Sequence, residues 1–582
     1  MEFLLGNECI ARGAIDAGAH AAYAYPGTPS SEILTAFREY APDRFSQWSI
    51  NEKTALECAI AEAISGKRTL CAMKQVGLNA SADPLFSSAY TGVKGALVIV
   101  SADDPGPYSS QTEQDSRMYA HAARLPVFDP ASPRDAYECT IRAFELSAKH
   151  SIPVMIRPVM RVCHSREGIE LPSTHPAPEN IPAFERNVQR WAATPKYRAA
   201  LHTELLNKLN AIADENRIAV EKKHDIAVVA GGYPYSLVKD VETEFSGMFD
   251  IIKIDMPYPI SRDSIDAIEK SYKKIIIIEE TFPVIENQFL DRRTIDGKWN
   301  NAVPSKGEMT VDTIRDVLSR ALGTKSPNAK KSALDVPPAA RPTLCAGCGH
   351  RAAFYAIKKA YPDGIFPGDI GCYTLGVNLG AVDTVLDMGA SVSFAEALAR
   401  ANQDKPVIAT IGDSTFFHSG IPPLINAVAS NSSFVLAILD NTTTAMTGFQ
   451  PVPHEGASPK VTIEGIVKGI GVSFLEIADP YDIKNAIALV KKAYEYSHSN
   501  KTPAVIIFRH PCVTKTRFKG QVLPAIDKSC KNCRICYEKF ECPALYEDKA
   551  TGRAAVNESL CSRCGVCLAV CPFGSIKEAP HA

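Results

Sequence analysis

Short apolar runs of strand length alternate along most of this chain with stretches of helical periodicity. In residues 1–165, Ala21–Tyr25, Leu70–Met73, Ala96–Val100 and Val154–Ile156 read as strands, and Glu52–Ser65 reads as a helix. Leu171–Pro182 carries four prolines and breaks the pattern, which predicts a linker. A helical segment at Tyr197–Ile218 leads to strands at His224–Gly232 and Lys274–Glu280, a second α/β unit. Residues 324–342 are again rich in Pro and Ser and predict a second linker. Strands at Val407–Ile411, Phe434–Leu439 and Ala504–Arg509 mark a third α/β unit. The expected division is 1–165, a linker and helical segment at 166–222, 223–323, a linker at 324–342, 343–515, and a cysteine-rich tail at 522–582. Strands that alternate with helices predict multi-domain α/β architecture with parallel sheets.

A length of 582 residues suits three or four domains. Ile275–Ile278 and Ala96–Val100, the longest apolar runs, are far too short to span a membrane, so no membrane partner is expected. The net charge of −2 predicts no attraction to nucleic acid. The N-terminal residues show neither a basic segment nor an apolar core of signal-peptide type, so a cytoplasmic location is expected. In that setting seventeen cysteines argue for metal ligation over disulfides, and for an anaerobic or strongly reducing cell.

Eight of those cysteines lie in the last sixty or so residues, in two runs. Cys530, Cys533 and Cys536 lead to Cys542-Pro543; Cys561, Cys564 and Cys567 lead to Cys571-Pro572. A doubled run of this kind is the signature of a two-cluster ferredoxin module, where the fourth cysteine of each run ligates the other cluster. One [4Fe–4S] cube would take Cys530, Cys533, Cys536 and Cys571, the other Cys542, Cys561, Cys564 and Cys567. Zinc knuckles also use paired cysteines, but zinc has no use for a third at the same pitch. The first run departs from the usual spacing: five residues precede Cys542, where three precede Cys571.

In the third α/β unit one strand ends in Gly412-Asp413-Ser414 and another in Asp440-Asn441. A glycine at a strand end admits a diphosphate close to the backbone, and the aspartate and amide oxygens are hard ligands for Mg2+. A turn and an Asx-turn would use the same residues. The spacing resembles the thiamine diphosphate motif, which implies Mg2+ on Asp413, Asn441 and the backbone carbonyl of Thr443. Thiamine chemistry also needs a carboxylate that protonates the aminopyrimidine. Glu52, opening an Ala-rich helix after the strand-like Phe45–Ile50, is the candidate; the bland alternative is an acid stabilised by the helix dipole. Glu57 reads as a residue of the helix face.

Together these pieces resemble the 2-oxoacid:ferredoxin oxidoreductases over nearly the whole chain. Tyr25-Pro26-Gly27-Thr28-Pro29 looks like the family's opening turn, which places Thr28 by the substrate carboxylate. Met73–Asn79, Ser109–Arg117 and Asp440–Gln450 look closest to the large subunit of the branch that takes aryl pyruvates. The resemblance implies a pyrimidine-binding domain, a second domain like the C-terminal domain of transketolase, a diphosphate-binding domain and the ferredoxin-like tail. It implies a third, proximal [4Fe–4S] cluster on Cys345, Cys348, Cys372 and Cys512. With the family's gamma domain missing, it implies a small beta subunit in a heterodimer or an α2β2 assembly. Coenzyme A, an aryl 2-oxoacid and an external ferredoxin are the further partners implied.

The reaction expected on this resemblance is oxidative decarboxylation of indolepyruvate, phenylpyruvate or 4-hydroxyphenylpyruvate. Met446 stands where pyruvate-using relatives carry an Asn, which makes the pocket more apolar, unless it merely packs under its loop. Arg117 is a candidate partner for the substrate carboxylate, weighed against an ordinary surface or helix residue. His350 and His418 flank the motifs without an assigned role. Cys9, Cys58, Cys71, Cys139 and Cys163 read as packing residues. A non-redox thiamine lyase or carboligase would share Glu52 and the Mg2+ motif but has no need of the tail.

Overall fold

The computed structural model describes residues 1–172, 184–192, 194–324 and 341–579. Most of the expected first linker and nearly all of the second lie outside the described residues. The chain forms two compact units, residues 1–334 and 335–582. Among the described residues no helix is long and apolar enough to cross a membrane.

The first unit holds two parallel sheets. The larger has six strands in the order Phe45–Trp48, Ala21–Ala24, Arg68–Lys74, Ala96–Ala102, Val154–Ile156 and Val127–Phe128. Its central strands are buried on both faces, which is why they read as continuous apolar runs; every residue of Ala96–Ala102 is buried. The second sheet orders Asp250–Ile254, Ile226–Gly231, Lys274–Ile278 and Ile295–Asp296, also parallel. Four consecutive isoleucines, Ile275 to Ile278, fill its centre and are fully buried. Strand Asp250–Ile254 escaped the reading of the sequence because it is an edge, half-exposed and interrupted by Lys253. A short antiparallel pair, Glu2–Leu5 with Arg166–Ile169, ties the N-terminus to the far end of the first α/β body.

In the second unit a four-stranded parallel sheet orders Ile408–Gly412, Val435–Asp440, Ala504–Arg509 and Phe474–Ala478. Phe474–Ala478 was not foreseen either: it too is an edge, with Glu476 and Ile477 facing outward. The tail is built from an antiparallel pair, Pro524–Ile526 with Ile576–Glu578, and a hairpin, Leu545–Asp548 with Arg553–Val556. Phe540, Val566 and Val570 of the tail pack with Ala352 and Ile483 of the α/β body.

The irregular spacing before Cys542 has a structural outcome. The added length is taken up by a π turn, Ile535–Lys539, followed by Phe540 and Glu541, the latter at φ +53°. The carbonyls of both residues accept hydrogen bonds from Arg351 on helix Gly349–Ala360. The same guanidinium donates to the carbonyl of Leu344, lies over the Phe540 ring and is 1% exposed. Arg351→Met would leave three carbonyls short of a charged donor, at about 2–3 kcal/mol. It is expected to loosen the tail, read as faster proteolytic release of a C-terminal fragment and a lower melting midpoint.

Candidate functional site

The carboxyl ends of the first sheet carry the candidates of the first unit. Asn51 caps helix Glu52–Ile64, its side-chain oxygen accepting from the Thr54 N–H at 2.8 Å, so Glu52 becomes the first helical residue. Glu52 is 5% exposed, and its carboxylate lies on the backbone of Gly77. A Cβ at Gly77 would stand 2.3 Å from Glu52 Oε1, so only glycine leaves that carboxylate its place. Thr28 sits on the turn after strand Ala21–Ala24, its carbonyl 3.5 Å from the Ser109 hydroxyl.

Arg117 requires a correction. It is no surface residue: its guanidinium is fully buried. Nε and Nη2 donate to Asp115 at 2.9 and 2.7 Å, and Nη1 faces Asp129 and Glu279, each at 3.2 Å. Nη2 also donates to the carbonyls of Glu280 and Phe282. Three carboxylates and two carbonyls enclose the guanidinium, which leaves no exposed edge for a substrate carboxylate. Arg117 and Arg157, which donates to Asp103 at 2.6 Å, instead neutralise acids gathered from both sheets of this unit. Glu280 lies in the same cluster. Burial pushes its carboxyl up to about 7, although Oε1 accepts the Met309 N–H; Oε2 has no hydrogen-bond partner.

In the second unit the Gly412-Asp413-Ser414 turn and the Asp440–Gln450 loop meet at the carboxyl ends of adjacent strands. Thr444 Oγ1 donates to Ser414 Oγ at 2.9 Å, and Asn441 Oδ1 accepts the Thr443 N–H at 3.2 Å. Gly412 is at an ordinary φ of −83°; what a side chain there would meet is the Tyr373 ring, 2.0 Å from an added Cβ. Asp413 Oδ1 accepts the Ser414 N–H at 2.9 Å, while Oδ2 is buried without a hydrogen bond. Burial and the charge of Asp440 push Asp413 up. Burial also acts on Asp440, but His454 at 2.9 Å and Arg509 at 2.6 Å outweigh it and hold Asp440 down.

His350 is 5% exposed, and neither ring nitrogen has a hydrogen-bond partner. Burial pulls it down to about 4 against the charges of Asp413 and Asp440. An orphaned carboxylate oxygen and an orphaned imidazole beside one strand end are what a missing cation and anion would leave. The donor set fits a diphosphate with a hard divalent cation. Asp440 and His454 went unrecognised as part of this site. Asp440 was visible beside Asn441, but His454 lies in a loop with no periodic signal. Met446 is 53% exposed, so it does not pack under its loop. His418 is buried and bonded to Ser419.

The structure also brings cysteines into three groups. Cys530, Cys533, Cys536 and Cys571 line one small cavity. Cys542, Cys561, Cys564 and Cys567 line another. Cys372 is pushed up to about 12, first by burial and then by the nearby thiols of Cys348, Cys345 and Cys512. That third group adjoins the diphosphate loop, since the Cys512 N–H donates to the Asn441 carbonyl at 3.2 Å. It adjoins the tail as well: Cys348 stands in the wall of the Cys542 cavity. Cys9, Cys71, Cys139 and Cys163 are fully buried, apart from these groups.

Residues 12–226 match the family model of pyruvate flavodoxin/ferredoxin oxidoreductase, thiamine diphosphate-binding. Residues 369–508 match the C-terminal thiamine pyrophosphate-binding domain, and 554–577 a 4Fe–4S binding domain. Indolepyruvate oxidoreductase subunit IorA of Archaeoglobus fulgidus is 38% identical over 99% of this chain and 97% of its own length. The IorA subunit of Thermococcus kodakarensis is 37% identical over 99% and 96%. The chain belongs to the IorA family. It is therefore a thiamine diphosphate-dependent oxidoreductase that binds [4Fe–4S] clusters. A solved 2-oxoglutarate:ferredoxin oxidoreductase from Magnetococcus marinus overlaps 55% of this IorA-family chain and 65% of its own at 16% identity, with a TM-score of 0.47.

Two outcomes are expected from the first unit. Gly77→Ala should displace the Glu52 carboxylate and cut turnover about 100-fold with little change in melting temperature. Glu280 has its folded value raised above the ordinary carboxylate value of 4.5, so its contribution to stability is full below that pH and lost as pH rises through about 7. Denaturant unfolding should show Glu280→Gln gaining on the parent between pH 5 and 8, by about 3 kcal/mol at most.

Proposed function

We propose that this chain is the catalytic large subunit of an indolepyruvate:ferredoxin oxidoreductase. It would convert aryl pyruvates (indolepyruvate, phenylpyruvate or 4-hydroxyphenylpyruvate) and coenzyme A to aryl-acetyl-CoA and CO2, passing two electrons singly to ferredoxin. A small beta subunit completes the complex, and coenzyme A enters at its interface. The work is done in a reducing cytoplasm.

Bound thiamine diphosphate supplies the electron sink for decarboxylation. Asp413, Asn441 and the Thr443 carbonyl would hold Mg2+ for its diphosphate, with Gly412 and Ser414 shaping the turn. Glu52, dry and fixed by Gly77, would be the carboxylate that serves its aminopyrimidine. Thr28 would meet the substrate carboxylate, and Met446 its aryl group. Cys345, Cys348, Cys372 and Cys512 would hold a proximal cluster and the eight tail cysteines two more, which together would supply one-electron acceptors.

One observation carries this reading: the third group of thiols adjoins the Asn441 loop on one side and the Cys542 cavity on the other. A lyase or carboligase would have no use for that continuity. The test is anaerobic turnover by the complex with its small subunit. Indolepyruvate plus coenzyme A should reduce ferredoxin or a viologen dye; product without dye reduction would favour the non-redox alternative. Iron analysis should give about twelve atoms per chain, and about eight would remove the proximal cluster.

A further inference from the structure

With Arg117 spent, a substrate carboxylate needs another cation, and the turn that carries Thr28 has one. Lys74 ends strand Arg68–Lys74, and its stem runs along Gly27, where an added Cβ would stand 2.8 Å from Lys74 Cβ. Lys74 is 8% exposed. Among the described residues its ammonium donates to Ser109 alone, at 2.7 Å to the carbonyl and 3.1 Å to the hydroxyl. That hydroxyl lies 3.3 Å from Asp104 Oδ2 and 3.5 Å from the Thr28 carbonyl, which puts the ammonium one side chain away from both Asp104 and the Thr28 turn.

No carboxylate among the described residues stands within ion-pair distance of Lys74. The charged group that acts on it is Asp104. The oxygens of Asp104 are already occupied, by the N–H groups of Tyr108 at 3.3 Å and Ser109 at 2.8 Å and by the Ser110 hydroxyl at 2.8 Å. Lys74 is thus a buried cation with one N–H to spare and no counter-ion, an expensive arrangement unless an anion arrives. Burial accordingly draws it down to about 8.

The geometry points to Lys74 as the residue that binds the carboxylate of the 2-oxoacid, beside Thr28. This rests on the oxoacid reading above. An arriving carboxylate would accept the spare N–H and neutralise the ammonium, at the carboxyl end of a parallel strand, where such sheets take their ligands.

The test uses the loaded complex with its small subunit. Lys74→Met should raise KM for indolepyruvate at least about tenfold, leaving thiamine diphosphate and iron content unchanged, and Lys74→Arg should restore part of the loss. In the parent, KM should climb above pH 8 as the ammonium loses its proton; in Lys74→Arg it should stay flat. Indole-3-acetate should inhibit the parent better than its neutral amide, and Lys74→Met should erase the difference. A parent indifferent to that charge, or a loaded Lys74→Met with unchanged KM, would overturn the proposal. Failure of the oxoacid reading would look different: the parent itself would show no oxoacid-dependent dye reduction.

Discussion

Arg351 joins two halves of the second unit. On one side its guanidinium holds the Leu344 carbonyl, next to Cys345; on the other it holds the carbonyls of Phe540 and Glu541, next to Cys542. Electron transfer between separate clusters needs short, fixed gaps. A tail that rocked on the α/β body would vary the gap between Cys348 and the Cys542 cavity. A buried cation held by three backbone carbonyls is a stiff joint, because moving it strands charge away from water.

That joint also shows what could be read from the residues and what could not. The cysteine pitch was legible as two runs of ligands, because ligand spacing is local and a cube tolerates little variation. The longer gap before Cys542 was visible too, but its meaning was not. The length is used 189 residues away from Arg351, in a contact that no periodicity signals. Central strands were legible because burial on both faces writes continuous apolar runs. Edges such as Asp250–Ile254 and Phe474–Ala478 alternate with polar residues and went unread.

Charged residues were the hardest to place. Arg117 was read as a candidate for the substrate carboxylate or an ordinary surface or helix residue, and Lys74 was given no role, yet both are buried. Arg117 is enclosed by carboxylates and carbonyls drawn from residues far apart in the chain, whereas no carboxylate among the described residues pairs with Lys74. The difference depends on which loops fold over the strand ends, and that is a tertiary fact. At Gly412 the structure adds a constraint that the residues alone did not show: the Tyr373 ring occupies the space a side chain would need.

The two tail cavities are unequal in their surroundings. The walls of the Cys542 cavity include Ala346, Gly347 and Cys348, whereas the Cys530 cavity is walled by tail residues alone, with Cys533 exposed. If each cavity holds a cluster, as proposed, one would be an inner station and the other an outer one, and dioxygen would meet the outer cube first. A briefly aerated molecule would keep its costly organic cofactor and lose only the inorganic terminus, the part that iron and sulfide can rebuild.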